Sequence, residues 1–363
     1  MHLEGYAANS IELTSGVETQ SKGLFLKSSA LSFSSVREVY EQVFTAGEQM
    51  RLRAAPENRV LLACHSDIRA DPPLQSGERV ILHGKVLTTV LYQTEEQRLP
   101  TSETVETPFS QLLDLDGIQD QDVLYCQTQL TSAEVTLRDA DLLETEFHIV
   151  VQTKCLREQQ MSCISDAYSV SNPVSLQSES LALELVRKTD PVHFSAASDS
   201  PMDRSLQMLW SVPGIRSLKQ NGDVASGVLE VSALLSDAEG HLSQKHTEMS
   251  FEQKLPSEAQ LLNVEMLQVS QLPDARLQVS GNLLIQIVEA LNPSQITCMQ
   301  LSEEQGMTTS EKPSVYLLPK SDSMDLWEIA KKYGSSITAI QSANDLPERE
   351  TSSEYLLVPR IIC

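Results

Sequence analysis

Between about residues 58 and 290 apolar and polar positions alternate with period two, the signature of half-buried strands. The run Val80-Ile81-Leu82-His83-Gly84-Lys85-Val86-Leu87-Thr88-Thr89-Val90-Leu91-Tyr92 reads as one long strand, or as a pair bent at Gly84. Leu143, Thr145, Phe147, Ile149 and Val151 alternate with Glu144, Glu146, His148 and Val150, which buries one face and wets the other until the last residues. Strands returning at turn spacing, with few helical stretches, predict antiparallel sheets folded into a sandwich or barrel. Two stretches keep a helical period instead. In residues 36–44, Val36, Val39, Tyr40 and Val43 fall on one helical face. Residues 205–210 form a shorter candidate.

The alternating region repeats itself. Gly84-x-Val86-x-Thr88-x-Val90-Leu91-Tyr92 and its polar turn Gln93-Thr94-Glu95-Glu96 match Gly227-x-Leu229-x-Val231-x-Ala233-Leu234-Leu235 and Ser236-Asp237-Ala238-Glu239. Pro108-Phe109-Ser110-Gln111 then matches Ser250-Phe251-Glu252-Gln253. Arg138-Asp139-Ala140-Asp141-Leu142 matches Pro273-Asp274-Ala275-Arg276-Leu277, each leading into a long alternating strand. Three blocks in the same order predict a duplicated β module of roughly 80 to 100 residues. Polar, Ser-rich stretches predict one boundary between residues 166 and 200 and another between 301 and 312.

The last fifty residues change period. Residues 315–318 read as a strand. Asp322 or Ser323 can cap a helix over 324–333, with Leu326, Ile329, Ala330 and Tyr333 on one face. Acid at its start and Lys331-Lys332 at its end suit the helix dipole, and Gly334 supplies the stop. Ser335 or Ser336 caps a second helix over 337–343, which Asn344 can end in a left-handed turn. Residues 355–359 close with a strand, so the predicted order is β-α-α-β.

Composition narrows the function. The 363 residues carry 27 Lys plus Arg against 50 Asp plus Glu, a net charge of −23, which argues against nucleic acid and anionic lipid as partners. Aromatics at 5% argue against a base-stacking platform. No run of about 18 apolar residues predicts membrane insertion, and Met1-His2-Leu3-Glu4-Gly5 does not read as a secretory signal. Cys64, Cys126, Cys155, Cys163, Cys298 and Cys363 are scattered, as in reduced, buried thiols. Phosphate-loop, dinucleotide, zinc-protease and nucleophile-elbow motifs are missing, and His241 and His246 have no third ligand nearby, so neither an enzyme, a cofactor nor a metal is expected.

The tail resembles the LysM module, whose usual text is a strand, Gly-Asp-Thr-Leu-Trp-x-Ile-Ala-x-x-Tyr, then Asn-x-Leu, then a closing strand ending in Pro. Leu326-Trp327-Glu328-Ile329-Ala330-Lys331-Lys332-Tyr333-Gly334 and Asn344-Asp345-Leu346 carry the match. In LysM modules two loops form a groove for N-acetylglucosamine-containing glycans. The resemblance therefore places a binding rim at Asp322, Ser323, Met324, Asn344, Asp345 and Leu346, with Leu326, Trp327, Ile329 and Tyr333 as core support. Here Ser323-Met324-Asp325 stands where Gly-Asp-Thr is usual, and residues 347–354 lack the usual Pro-Gly turn and carry Glu348, Glu350 and Glu354. These departures fit a rim that grips a protein.

The duplicated half is similar to the SPOCS domain of spore-forming Firmicutes, and tandem SPOCS domains followed by LysM are the architecture of the SipL-like family of spore-coat morphogenesis proteins. The resemblance implies a mainly β chain: an N-terminal segment to residue 35, a first SPOCS-like domain over 36–165, a boundary region over 166–200, a degenerate second copy over 201–300, a linker over 301–312 and LysM over 313–363. It implies a non-enzymatic adaptor at the forespore surface, in the mother-cell cytoplasm, that binds the coat's basement-layer ATPase. The alternative is a protein of cortex or cell wall that binds peptidoglycan or chitin-type glycan.

Overall fold

The computed structural model describes residues 12–16, 23–52, 59–77, 79–94, 99–138, 142–302, 313–319, 325–344 and 355–361. In chain order the strands are β1 (Leu24–Arg51), β2 (Arg59–Ala70), β3 (Leu74–Ser76), β4 (Arg79–Thr94), β5 (Thr101–Leu113), β6 (Val123–Arg138), β7 (Leu142–Ser169), β8 (Val174–Ser180) and β9 (Leu183–Lys188). They continue with β10 (Val192–Ala197), β11 (Gln207–Asn221), β12 (Val224–Ser236), β13 (Leu242–Lys254), β14 (Ala259–Gln271), β15 (Leu277–Leu291), β16 (Ser294–Leu301), β17 (Val315–Pro319) and β18 (Tyr355–Pro359). Helices α1 (Leu326–Tyr333) and α2 (Ile337–Ala343) lie between the last two strands. The chain is mainly β, with several antiparallel sheets.

Two compact units divide it. The larger takes Ser34–Glu158 and Leu185–Glu289; the smaller gathers the described parts of 1–33, 159–184 and 290–363.

The larger unit carries the repeat, and its topology repeats with it. In the first half β1-β7-β6 form one sheet, and β4 forms another with β2, β3 and β5. In the second half β10-β15-β14 and β11-β12-β13 have the same orders. Each half closes over a core drawn from both its sheets. Leu82, Val86, Phe109, Phe147 and Ile149 meet in the first, and Leu229, Val231, Phe251, Leu277 and Leu283 in the second.

The match extends to single residues. Gly84 stands opposite Phe109, and Gly227 opposite Phe251. A Cβ on Gly84 would lie 2.4 Å from Phe109 Cζ and 2.4 Å from the Arg69 carbonyl oxygen; on Gly227 it would lie 2.7 Å from Phe251 Cε1 and 2.6 Å from the Ser217 oxygen. Each ring thus lies over a glycine and meets a second ring, Phe44 at 5.5 Å from Phe109 and Phe194 at 4.3 Å from Phe251. Gly84 does not mark a bend: the β4–β5 pairing runs through it without a shift. Its missing side chain makes room for an aromatic. Bulges recur too, at Leu61/Ala63 facing Tyr92-Leu91 and at Met208/Trp210 facing Leu235-Leu234.

Neither helix expected upstream forms. Residues 36–44 belong to β1, where Tyr40, Phe44 and Ala46 pack on the core while Val36, Val39 and Val43 are 44%, 49% and 59% exposed. The segment carries the helical period, but its three β-branched valines and two aromatics suit a strand, and pairing with β7 overrides the local pattern. Residues 205–210 are a turn running into β11, whose Gln207 and Met208 pair with Ser236 and Leu235. The region read as a boundary, 166–200, holds the end of β7 and all of β8, β9 and β10. Strand β10 pairs with β15 and so belongs to the second copy, whereas β8 pairs with β16 in the smaller unit. Strand β1 begins inside the N-terminal segment, at Leu24. Only β8 among these strands is rich in serine, but the serines between and beside them, such as Ser169, Ser171, Ser198 and Ser200, give the whole stretch a polar composition that hides the strands.

The two copies touch within the larger unit, where Ser102 Oγ donates to the Leu209 carbonyl at 2.8 Å. Glu265 of β14 is half-buried; desolvation first, then the charge of Asp67 on β2, raises its carboxyl pKa. A raised pKa means that the group favours folding below its unfolded value and that this contribution is lost as pH rises through the folded one. Glu265→Gln should therefore raise the melting temperature at pH 7–8 and converge with wild type near pH 4, read by thermal denaturation across pH. An equal melting temperature at pH 8 would contradict this placement.

The described cysteines are free thiols. Cys155 and Cys163 are buried as expected, but Cys64 is exposed on β2.

Candidate protein-docking surface

The tail folds as the local signals dictate, with two changes of detail. Helix α1 is capped by Asp325, whose side chain accepts from the Trp327 N–H at 2.8 Å, rather than by Asp322 or Ser323. Gly334 ends it in the left-handed region at φ 66°. Ser336 caps α2, accepting from the Ala339 N–H at 3.0 Å. Asn344 ends α2 at φ −121°, without a left-handed turn. Its side chain does the closing. Nδ2 donates to the Ile340 and Leu357 carbonyls at 2.7 and 2.6 Å, and Oδ1 accepts from the Leu357 N–H at 2.8 Å. These bonds pin α2 to β18, so Asn344 is a clamp and its amide is already occupied.

Strands β17 and β18 pair antiparallel, Leu317 opposite Leu357. Their inward face, Tyr316, Leu318, Leu356 and Val358, joins Trp327, Ile329, Ala330 and Ile340 in one cluster. Leu326 and Tyr333 pack on its margin, Tyr333 against the Tyr316 ring at 4.8 Å. The four residues expected as core support thus all contribute to this cluster. Of the expected rim, only Asn344 is described; Asp322, Ser323, Met324, Asp345 and Leu346 lie outside the described residues.

Two residues that sequence reading missed complete the cluster, and both come from the end of β7. Tyr168 meets the Trp327 ring edge-on at 4.9 Å and donates its hydroxyl to the Ser335 carbonyl at 2.8 Å. Asp166 accepts from Trp327 Nε1 at 2.7 Å and from Lys331 Nζ at 2.7 and 2.8 Å. Burial alone would raise the Asp166 carboxyl, but the bonds from Lys331, Trp327 and the Ala167 N–H outweigh it and hold the pKa below the ordinary value. Trp327 is only 5% exposed, so it serves the core and one buried hydrogen bond. No local pattern marks Asp166 or Tyr168, because their partners lie 161 and 167 residues away.

The outward face of the β17–β18 pair is the surprise. Alternation puts Val315, Leu317, Pro319, Tyr355, Leu357 and Pro359 on it, every one apolar or aromatic. Leu317 is 67% exposed, Tyr355 55% and Val315 48%. A two-stranded sheet with one wet side ordinarily alternates apolar with polar; this one is apolar on both. Contiguous exposed apolar surface of this kind marks an interaction site. It offers area for a protein surface and, apart from the Tyr355 hydroxyl, no side-chain hydrogen-bonding group for a sugar.

In comparisons with known proteins, no family model, no curated protein and no solved structure matches the chain. Among the described residues, no helix is long and apolar enough to cross a membrane.

Proposed function

We propose that the chain is a non-enzymatic adaptor of spore-coat assembly of the SipL-like kind, with tandem SPOCS-like sandwiches and a C-terminal LysM module that binds the coat's basement-layer ATPase. Its place is the forespore surface, in the mother cell. The observation that carries the reading is the apolar outer face of the paired strands β17 and β18, which suits a protein partner better than a glycan. The LysM-like text over residues 326–334, set on a β-α-α-β tail, and the repeated sheet orders support the architecture. The acidic surface adds long-range attraction for a basic patch on the partner.

The test uses the full chain, because Asp166 and Tyr168 complete the core of the tail. Capture of the purified ATPase should weaken at least ~10-fold in Leu317→Glu and Tyr355→Glu, a loss typical of a central interface residue. The melting temperature of Leu317→Glu should stay within about 2 °C of wild type, since that side chain projects away from the core. Asp322→Lys and Asp345→Lys report on the rim in the same assay. Undiminished capture by all four variants would refute docking through the tail, and saturable binding of chitin oligomers or muropeptides would favour the glycan reading.

A further inference from the structure

Arg59 is a buried cation whose buried side-chain nitrogens, Nε, Nη1 and Nη2, have no hydrogen-bond partner among the described residues. It is 7% exposed at the start of β2, and its guanidinium lies 5.0 Å from the centre of the Tyr92 ring. Stacking on an aromatic satisfies the face of a guanidinium and leaves the donors around its edge unmet. A buried charge in that condition works against folding unless a ligand completes it.

The second copy shows what the site looks like when nothing has to be held there. Aligned on the shared bulge, Tyr92 corresponds to Leu235, and Arg59, two residues before Leu61, corresponds to Leu206, two residues before Met208. Leu206 packs on the same core cluster that contains Leu235, so the second copy fills this place with hydrocarbon. The same topology with the same bulge therefore closes without the Arg–Tyr pair.

We propose that the Arg59–Tyr92 pair of the first copy is a carboxylate-binding site. The fork of the guanidinium matches two carboxylate oxygens in its plane, while the ring covers one face and Leu61, opposite Tyr92, borders the strand side. One cation balances one carboxylate, and because the Glu103 charge already acts on Tyr92, a dianion would meet more repulsion there than a monoanion. A phosphate dianion would keep a surplus negative charge in a chain that already carries −23.

Thermal denaturation of the full chain tests this. Sodium acetate, compared with sodium chloride at equal ionic strength, should raise the melting temperature saturably by about 2 °C or more, as selective binding to the folded state requires. Inorganic phosphate should do less. Arg59→Leu, which copies Leu206, should abolish the acetate response and melt at or above wild type without ligand. Arg59→Lys, which keeps charge but loses the fork, should weaken the response. N-acetylglutamate amide distinguishes sources: tighter binding than acetate assigns the carboxylate to a polypeptide side chain, equal binding to a free acid. The proposal fails if acetate does no more than chloride, if Arg59→Leu keeps the response, or if Arg59→Leu melts far below wild type, because the cation is then paired within the chain. None of these outcomes depends on coat-protein capture by the tail.

Discussion

Trp327→Ala is expected to unfold the β-α-α-β tail, at a cost of about 3–5 kcal/mol for a buried ring. The ring fills the centre of the tail's cluster, and its loss also removes a donor from Asp166 inside a partly buried site. A tail this small has little margin to absorb the change. Limited proteolysis and near-ultraviolet circular dichroism of the full chain should report the loss, while the larger unit keeps its own transition. Asp166→Asn should cost less, about 1–2 kcal/mol, since the amide oxygen still accepts from Trp327 but no longer pairs with Lys331. The lowered carboxyl pKa gives that difference a pH signature. The ion pair contributes stability above the ordinary carboxylate range and loses it as pH falls through the folded value, so wild type and Asp166→Asn should converge in acid. A tail that melts identically with and without the Trp327 ring would contradict its burial.

Gly84→Ala should be nearly as damaging to the larger unit, about 3 kcal/mol, at the upper end of what overpacking costs. The added methyl meets the Arg69 carbonyl and the Phe109 ring together, both at 2.4 Å. Since one of the two obstacles is backbone, Phe109→Ala should not rescue it. Gly227→Ala repeats the experiment in the second copy, where the corresponding distances are 2.6 and 2.7 Å, and should destabilise by a similar amount. Equal, non-rescuable losses measured by chemical denaturation would mean that the two positions are one structural device used twice. A neutral Gly84→Ala would refute the glycine–ring contact.

Much of this was legible from residues alone. Alternation located β4, β7 and β12, and the tail's capping residues and glycine stop located α1 and α2 to within about two residues. The repeated Gly and Phe blocks predicted a duplication that the sheet orders, the bulges and the Gly–Phe pairs all display. What failed has a common cause. The segment 36–44 has helical apolar spacing, and only pairing with β7, about a hundred residues later, makes it a strand. Strand β8 is serine-rich, and β9 and β10 are only six residues each, too short to stand out. Asp166 and Tyr168 sit in that same stretch, and nothing near them signals an indole waiting at residue 327. The outward apolar face of the β17–β18 pair could have been read from residues 315–319 and 355–359, where Val315, Leu317, Tyr355 and Leu357 break the expected polar alternation.

The smaller unit is assembled from three stretches far apart in the chain, and this dictates the order of events on the ribosome. Every strand of the larger unit has been made once residue 289 emerges, so that unit can close early. The Phe25 and Tyr168 rings must wait for residues 327–358 before anything covers them. A nascent or truncated chain that stops short of this last stretch leaves that aromatic pair uncovered, the kind of transiently exposed apolar surface that invites aggregation.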